Sequence, residues 1–443
     1  MRQYARLRWG VLAGSSLLVL GLVSWVRFAH LESAWAKSTG EKIRPNLVEQ
    51  SIPNTQAQLQ VPQMTQRSAS INPQLVSANT RFGFKLFAAI ANQQPNRNVF
   101  VSPSSVAIAL AMVYNGANGE TQQGMARALE IQGMSLPTLN QANADLKALL
   151  ENPDPKVQLA IANSLWARQG VPFKPDFMQR NQQFYQAQVT ELNFADPRSV
   201  PTINNWVNQN TRGKITEIVD KLEPDDVMVL INAIYFKGNW SRQFDKQTTR
   251  TAPFYLASGN TKNHPFMTQQ GEYRYLENPL FQGVMLPYGD GRRMSMVILL
   301  PRKNSSLSEL QRNLTAENWE QWMTQFRNRQ GEIQIPRYKL EYETELSQIL
   351  SNMGMAKAFS RQANFAGISE IPTQISEVKH KTFVEVNEEG TEAAAVTSIG
   401  IRATSAMPAD EPFQFKADRP FFTAIRDHQT GSVLFMGAIV EPR

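Results

Sequence analysis

The sequence predicts one large domain of mixed class, α/β or α+β, with long and mostly antiparallel sheets, and three observations carry that reading. Val227 to Phe236 (VMVLINAIYF) is apolar almost without a break, as expected of a strand covered on both faces. Phe421 to Ile425 and Val433 to Val440 flank Asp427-His428-Gln429-Thr430-Gly431, the pattern of a hairpin. Phe82, Leu86 and Ile90 recur at helical spacing, so helices and strands are mixed along the chain.

The N-terminal 75 residues stand apart from that domain. Residues 9–26 (WGVLAGSSLLVLGLVSWV) carry no charge, follow Arg2, Arg6 and Arg8, and are closed by Arg27, the pattern of a membrane-targeting segment. Ala34-Trp35-Ala36 suits a signal peptidase, while an apolar run of about 18 residues is long enough to span a bilayer. Residues 1–36 are therefore either a signal peptide or a membrane anchor. Both alternatives imply export, to a periplasm, to the outer face of a membrane or to the extracellular space. Residues 37–75, rich in Gln, Asn, Ser and Pro and without apolar periodicity, form a flexible spacer. Residues 76–443 contain no further low-complexity stretch and no internal repeat, so they form a single domain.

Within that domain, Ser102-Pro103 offers an N-cap followed by proline at the first helical position. The helix that follows (VAIALAMVYNG) is apolar all round and should be buried. Val157, Leu159 and Ile161 alternate as in a strand, and Met294 to Leu300, Ile333 to Tyr342 and Lys379 to Val386 are strand-like. Ser306 to Phe326 and Glu345 to Met353 are helical.

Composition excludes several functions. Hydrophobic residues make up 42% and charged residues 19%, which rules out wholesale disorder. The net charge is +7, but beyond residue 36 it falls to 41 basic against 37 acidic residues, scattered along the chain, so no nucleic-acid footprint is present. Without cysteine there is no disulfide scaffold, thiol nucleophile or Zn-Cys site. Four histidines, at 30, 264, 380 and 428, leave little for imidazole metal chemistry, and neither metal nor cofactor is expected. No G-x-S-x-G, H-E-x-x-H, phosphate loop or full dinucleotide fingerprint occurs; Gly289-Asp290-Gly291 lacks the third glycine and is a turn between strands. A Ser-His-Asp hydrolase has the residue types but no local motif. Glu388 and Glu389 are adjacent, so on a strand they face opposite sides and form a solvated edge, not an acid–base pair.

One segment is unusual. After Asn387-Glu388-Glu389-Gly390, residues 391–407 (TEAAAVTSIGIRATSAM) are small or β-branched, with Glu392 and Arg402 alone charged. Taken alone, such a segment is a surface helix, an ordinary loop, or a segment that lies exposed in one state and buried as a strand in another.

The domain as a whole resembles the serpins. The motifs are Asn98-Val99-Phe100-Val101-Ser102-Pro103-Ser104-Ser105, Gly116-Ala117 to Thr121, Asn232 to Trp240 (NAIYFKGNW), Val384 to Ala395 (VEVNEEGTEAAA), Asp418-Arg419-Pro420-Phe421 and Phe435-Met436-Gly437, in order and at family spacing. The resemblance implies an inhibitory, prokaryotic member of α+β class, with three β-sheets, eight or nine helices and an exposed reactive-centre loop. It implies a monomer that is not an enzyme, whose partner is a serine or cysteine protease held in a covalent complex while the cleaved loop enters the main sheet. A serpin-fold binding protein that does not inhibit is the alternative.

Carried over by the same resemblance, Gly390 gives the hinge backbone freedom and Thr391 is the first side chain to face the sheet interior. Ala393, Ala394, Ala395 and Val396 pass between strands without clashes. Glu388 pairs with Arg337 at the top of the sheet, near Trp240. Ser102, Ser105, Asn232 and His380 form the cluster that controls sheet opening. Family spacing puts the scissile bond at Thr404-Ser405, with Arg402-Ala403 as rival because Arg402 is the only basic residue between Gly390 and Lys416. The chain departs from the family in two respects: Gly390 to Pro420 is somewhat longer than usual, and the helix-forming stretch Asn140 to Leu150 holds a single Lys147 where polyanion-binding members carry several basic residues.

Overall fold

The computed structural model describes residues 69–151, 153–391 and 411–443; residues 1–68, which hold the expected targeting segment and most of the expected spacer, and residues 152 and 392–410 lie outside the described residues. Helix α1 (Pro73–Gln93) begins just ahead of the boundary placed at 76, because Asn72 accepts from the Leu75 N–H at 3.0 Å and Pro73 opens the first turn. Strand β1 (Val99–Val101) leads into α2 (Pro103–Tyr114), capped by Ser102 and buried along all 12 residues, as its sequence requires.

The chain continues through α3 (Gly119–Ala128), α4 (Leu136–Glu151), β2 (Val157–Arg168), α5 (Pro175–Tyr185), β3 (Gln188–Leu192), α6 (Ser199–Asn210) and β4 (Met228–Asn239). Then come β5 (Arg250–Tyr255), β6 (Thr261–Glu277), β7 (Phe281–Tyr288) and β8 (Met294–Pro301). The helical stretch 306–326 divides into α7 (Leu307–Asn313) and α8 (Ala316–Gln325), because Thr315 accepts from the Asn318 N–H and caps a second helix. The strand-like run 333–342 also divides, into β9 (Arg327–Pro336) and β10 (Tyr338–Glu345), with Arg337 as the corner between two sheets. Helix α9 (Ser347–Leu350), β11 (Glu377–Val386), β12 (Gly390–Thr391), β13 (Phe413–Lys416), β14 (Phe421–Asp427) and β15 (Val433–Ile439) complete the described α-helices and strands, with short helical turns at Lys246–Thr248, Ser351–Met355 and Ala356–Phe359.

The strands form two hydrogen-bonded networks. One is nine-stranded, in the order β1-β15-β14-β8-β7-β6-β9-β13 with β5 added on β6; β6 and β9 run through both of its halves, so the second and third sheets of the expected fold share two strands. The other is six-stranded, β10-β11-β12-β4-β2-β3. Buried α2 packs on β15 of the first and on β4 and β2 of the second. Alternate residues of β4 serve two cores: Leu230, Ile234 and Phe236 face the main one, while Val229, Ile231, Ala233 and Tyr235 pack with Ile203 and Val207 of α6 and Ile215 to Val219. That double duty is why β4 is apolar without alternation. Among the described residues no helix is long and apolar enough to cross a membrane.

Candidate functional site

The six-stranded sheet is split at one end. Strands β11 and β4 pair directly, in parallel, from Glu377 beside Val229 to Phe383 beside Tyr235. Above that point they part, and the two residues of β12 lie between them, antiparallel to both: Gly390 opposite Asn239, Thr391 opposite Gly238 and Val386. The fit requires glycine at 390, where a Cβ would stand 2.2 Å from the Gly238 carbonyl oxygen and 2.6 Å from the Asn239 Cα. Thr391 is fully buried, and its hydroxyl is 2.7 Å from the Tyr288 hydroxyl.

The turn joining β11 to β12 is held from outside. Asn387 Oδ1 accepts from the Glu389 N–H at 3.0 Å, an Asx turn. The Trp240 backbone N–H donates to Glu389 O and its indole N–H to Asn387 O, both at 2.9 Å, while the Phe244 N–H donates to Glu388 O at 2.8 Å. Glu388 is not at a solvated edge: its side chain is 5% exposed, accepts from Thr249 Oγ1 at 2.7 Å and lies 3.6 Å from Arg337 Nε. The turn, not a strand, fixes its direction, so the alternation expected of residues 388 and 389 does not apply. Glu389 pairs with Lys246.

Lower down, a buried polar line crosses the seam between β11 and β4. His380 stands beside Asn232 in the parallel register, and its Nδ1–H donates to Asn232 Oδ1 at 2.6 Å. Its Nε2 accepts from the Ser102 N–H at 3.1 Å, which fixes the neutral tautomer. Asn232 Nδ2 donates to Ser105 Oγ and to Asn163 Oδ1, both at 2.5 Å; Ser102 Oγ donates to Leu434 O at 2.6 Å, and Thr382 Oγ1 to Phe100 O at 2.6 Å. Burial holds the His380 imidazole far below its usual range, at about 3. Ser102, Ser105, Asn232 and His380 thus meet in one cluster, and Arg337, Glu388 and Trp240 in another.

Sequence reasoning missed Tyr288, Thr249, Asn163 and Thr382. Asn163 carried a signal, the polar pair Asn163-Ser164 set within the apolar run of β2; the others meet the site through long-range packing that leaves no local trace. Ala393, Ala394, Ala395, Val396, Arg402, Ala403, Thr404 and Ser405 lie outside the described residues.

Other candidates resolve differently. His428 Nε2 is 2.8 Å from Ser295 Oγ, yet the neighbouring Asp427 carboxylate is turned to Arg293, at 2.7 and 3.1 Å, and to Thr430, and Nδ1 faces Arg426. Ser295 is buried, so these residues form no relay that a substrate could reach. Burial and the Arg426 and Arg274 charges push His428 down to about 4. Gly289 turns between β7 and β8 at φ 67°. Lys147 of α4 is buried, pairs with Glu151 and donates to Gln186 Oε1 at 2.7 Å, so it presents no cation outward. Among the described residues no cluster of His, Asp or Glu is placed to hold a metal.

Residues 77–442 match the family described as Serpin (serine protease inhibitor). Human serpin B8 is 38% identical over 378 residues, spanning 83% of this chain and 99% of its own, and human leukocyte elastase inhibitor is 36% identical over 384 residues, spanning 83% and 100%. Among solved structures, the thermophilic serpin tengpin in its native state superposes with a TM-score of 0.78 at 32% identity, covering 85% of this chain and 96% of that one. With a family match over most of its length, relatives above 30% identity and this two-sheet architecture, the chain belongs to the serpins.

Proposed function

We propose that this serpin is a suicide-substrate inhibitor of serine proteases, and of cysteine proteases that cut the same loop. The observation that carries this reading is the docking of Gly390 and Thr391 as the first rungs of a strand between β11 and β4. The register is already set on both sides. Continued in the same step, each further loop residue meets the preceding residue of β4 and of β11, so Thr397 arrives opposite both Asn232 and His380 and Ile401 opposite Met228. Because β11 and β4 are themselves paired in the matching parallel register, the seam can open without any shift of either strand. The hydroxyl of Thr397 would enter where Asn232 and His380 lose each other.

In the proposed reaction the protease hydroxyl adds to the Thr404 carbonyl, the Thr404-Ser405 bond breaks, and the proton leaves on the Ser405 amine. The ester stays behind on Thr404. Insertion along the 12 residues of β4 at about 3.3 Å each then carries the tethered protease some 40 Å. Cleavage at Thr404 leaves Arg402 to Thr404 to span from the end of β4 to the ester, whereas cleavage at Arg402-Ala403 leaves one residue and favours turnover. The arginine-flanked apolar segment at residues 9–26 supports action outside the cytoplasm. Incubating the full chain with elastase-like, subtilisin-like and trypsin-like proteases tests this reading: an SDS-stable band and a released peptide starting at Ser405 are expected, and cleavage by every protease without such a band would overturn it.

A further inference from the structure

The phenol of Tyr288 is a buried polar group that neither the fold nor the sheet-opening cluster accounts for. Tyr288 ends β7, in the nine-stranded sheet, yet its hydroxyl reaches the hinge in the six-stranded one. It is fully buried, and burial pushes its ionisation well above the usual phenol range, so it stays a neutral hydroxyl that needs a hydrogen-bond partner. Among the described residues that partner is the Thr391 hydroxyl, at 2.7 Å. The ring has little freedom to turn elsewhere. Trp240 stacks on it at 4.6 Å and 12°, Phe236 meets it edge-on at 5.1 Å, and a Cβ on Gly238 would come within 2.8 Å of its Cδ1. Trp240 also holds the hinge turn through its backbone and indole N–H groups, so one aromatic stack fixes both the phenol and the turn that delivers Thr391 to it.

We propose that Tyr288 is a positioning residue for loop insertion: it selects a hydroxyl at position 391 and holds the first rung formed while the loop is uncut. Undocking the hinge would strand a buried phenol without a partner, which biases the hinge toward the docked state. Insertion then starts as extension of an existing strand and not as nucleation of a new one. Speed matters because trapping competes with hydrolysis of the acyl-enzyme. The inference rests on the inhibitory reading only in this last step.

The test uses Tyr288→Phe, which keeps the ring stack, together with Thr391→Val, Thr391→Ser and the Tyr288→Phe/Thr391→Val pair. In the uncut protein, amide hydrogen exchange at Trp240, Phe244 and Thr391 should rise on the order of fivefold in Tyr288→Phe and in Thr391→Val, should rise no further in the pair, and should match the parent in Thr391→Ser. Unchanged exchange, or additive effects in the pair, would overturn the latch without reference to any protease. With a protease that the parent traps, the single variants should raise the stoichiometry of inhibition and Thr391→Ser should not. A lower melting temperature with an unaltered stoichiometry would reduce Tyr288 to a packing residue. Absence of any covalent complex with the parent would instead sink the inhibitory reading, while the exchange data would still decide the latch.

Discussion

The two sheets of this molecule are built on different principles. Across β14 and β15 of the nine-stranded sheet the interior is aromatic: Phe100 stacks on Phe435 at 5.2 Å, Phe87 meets Phe422 at 5.3 Å, and Trp319 packs on both Phe84 and Phe422. At the seam between β11 and β4 the face toward α2 is a line of hydrogen-bonded side chains, Ser102, Ser105, Asn163, Asn232, His380 and Thr382, with one ring pair, Tyr235 and Phe383, on the opposite face. Aromatic contacts are lost outright when surfaces part, because a gap has no atoms to replace them. Hydrogen bonds can be exchanged one for one with an incoming strand. The nine-stranded sheet is braced by rings at β14 and β15, and the seam of the six-stranded sheet by the side-chain hydrogen bonds that the proposed loop insertion would have to exchange.

Cutting the loop anywhere between Ala395 and Ala406 should widen that contrast most. About ten new ladder hydrogen bonds at roughly 1 kcal/mol each favour the inserted form by on the order of 10 kcal/mol, so the melting temperature should rise markedly. An unchanged or lower value in calorimetry would mean that no strand enters. Next in size is Thr391→Arg, which forces a guanidinium into the space beside Tyr288. It costs several kcal/mol, of the order of 3–5, so the variant should be cleaved as a substrate; a stoichiometry equal to the parent's would refute this.

A matched pair of truncations separates the sheets. Phe435→Ala should destabilise uncut and cut forms alike by about 3–5 kcal/mol. Asn232→Ala should cost the uncut form about 1–3 kcal/mol and, on mild warming, convert it to an inserted form visible by native gel. Equal losses in both forms for Asn232→Ala would erase the distinction.

Acid offers a smaller effect. His380 at about 3 and His428 at about 4 both lie below an unfolded value near 6.5, so the unfolded chain binds more protons in that interval. Stability is therefore full above pH 6.5 and is lost as pH falls toward those values, by about 2 kcal/mol at pH 5 from each. His380→Gln should flatten the acid dependence of loop insertion, and His428→Gln only that of global unfolding; identical pH profiles for the two would contradict the division. Smallest is Arg337→Ala. The arginine is 48% exposed, so its pair with Glu388 is worth less than about 1 kcal/mol, and urea titration should show a shift no larger.

What the sequence revealed follows the range of the forces involved. The capped and wholly buried α2, the doubly covered β4 and the β14–β15 hairpin were legible because each is decided within about twenty consecutive residues. The break at Arg337 was not, since a strand-like run carries no local mark of a change of sheet; the break at Thr315 did carry one, the N-cap threonine, which the helical pattern on both sides masked. In the site, Gly390 and Thr391 were legible only through resemblance to a family. Tyr288 was legible by neither route: its partner lies 103 positions away in the sequence, and nothing around Pro287 announces it.

The strand β15 pairs on one side with β1, where Val99 meets Ala438, and on the other with β14. Asn98 locks that arrangement, accepting from the Val440 and Glu441 N–H groups at 2.8 and 3.0 Å and donating to Glu441 O at 2.6 Å. One edge of the nine-stranded sheet thus joins residues from opposite ends of the domain, the most non-local pairing among the described strands. On a ribosome, residues 391–407 emerge before β14 and β15 do, and the wall of aromatics that closes the core is the last piece to arrive. In that interval β4 and β11 lack the packing that Phe422 and Phe435 bring. A chain stalled after Ser432 is expected to remain sensitive to added protease throughout the domain, and full resistance would show that the six-stranded sheet is set before its partner is finished.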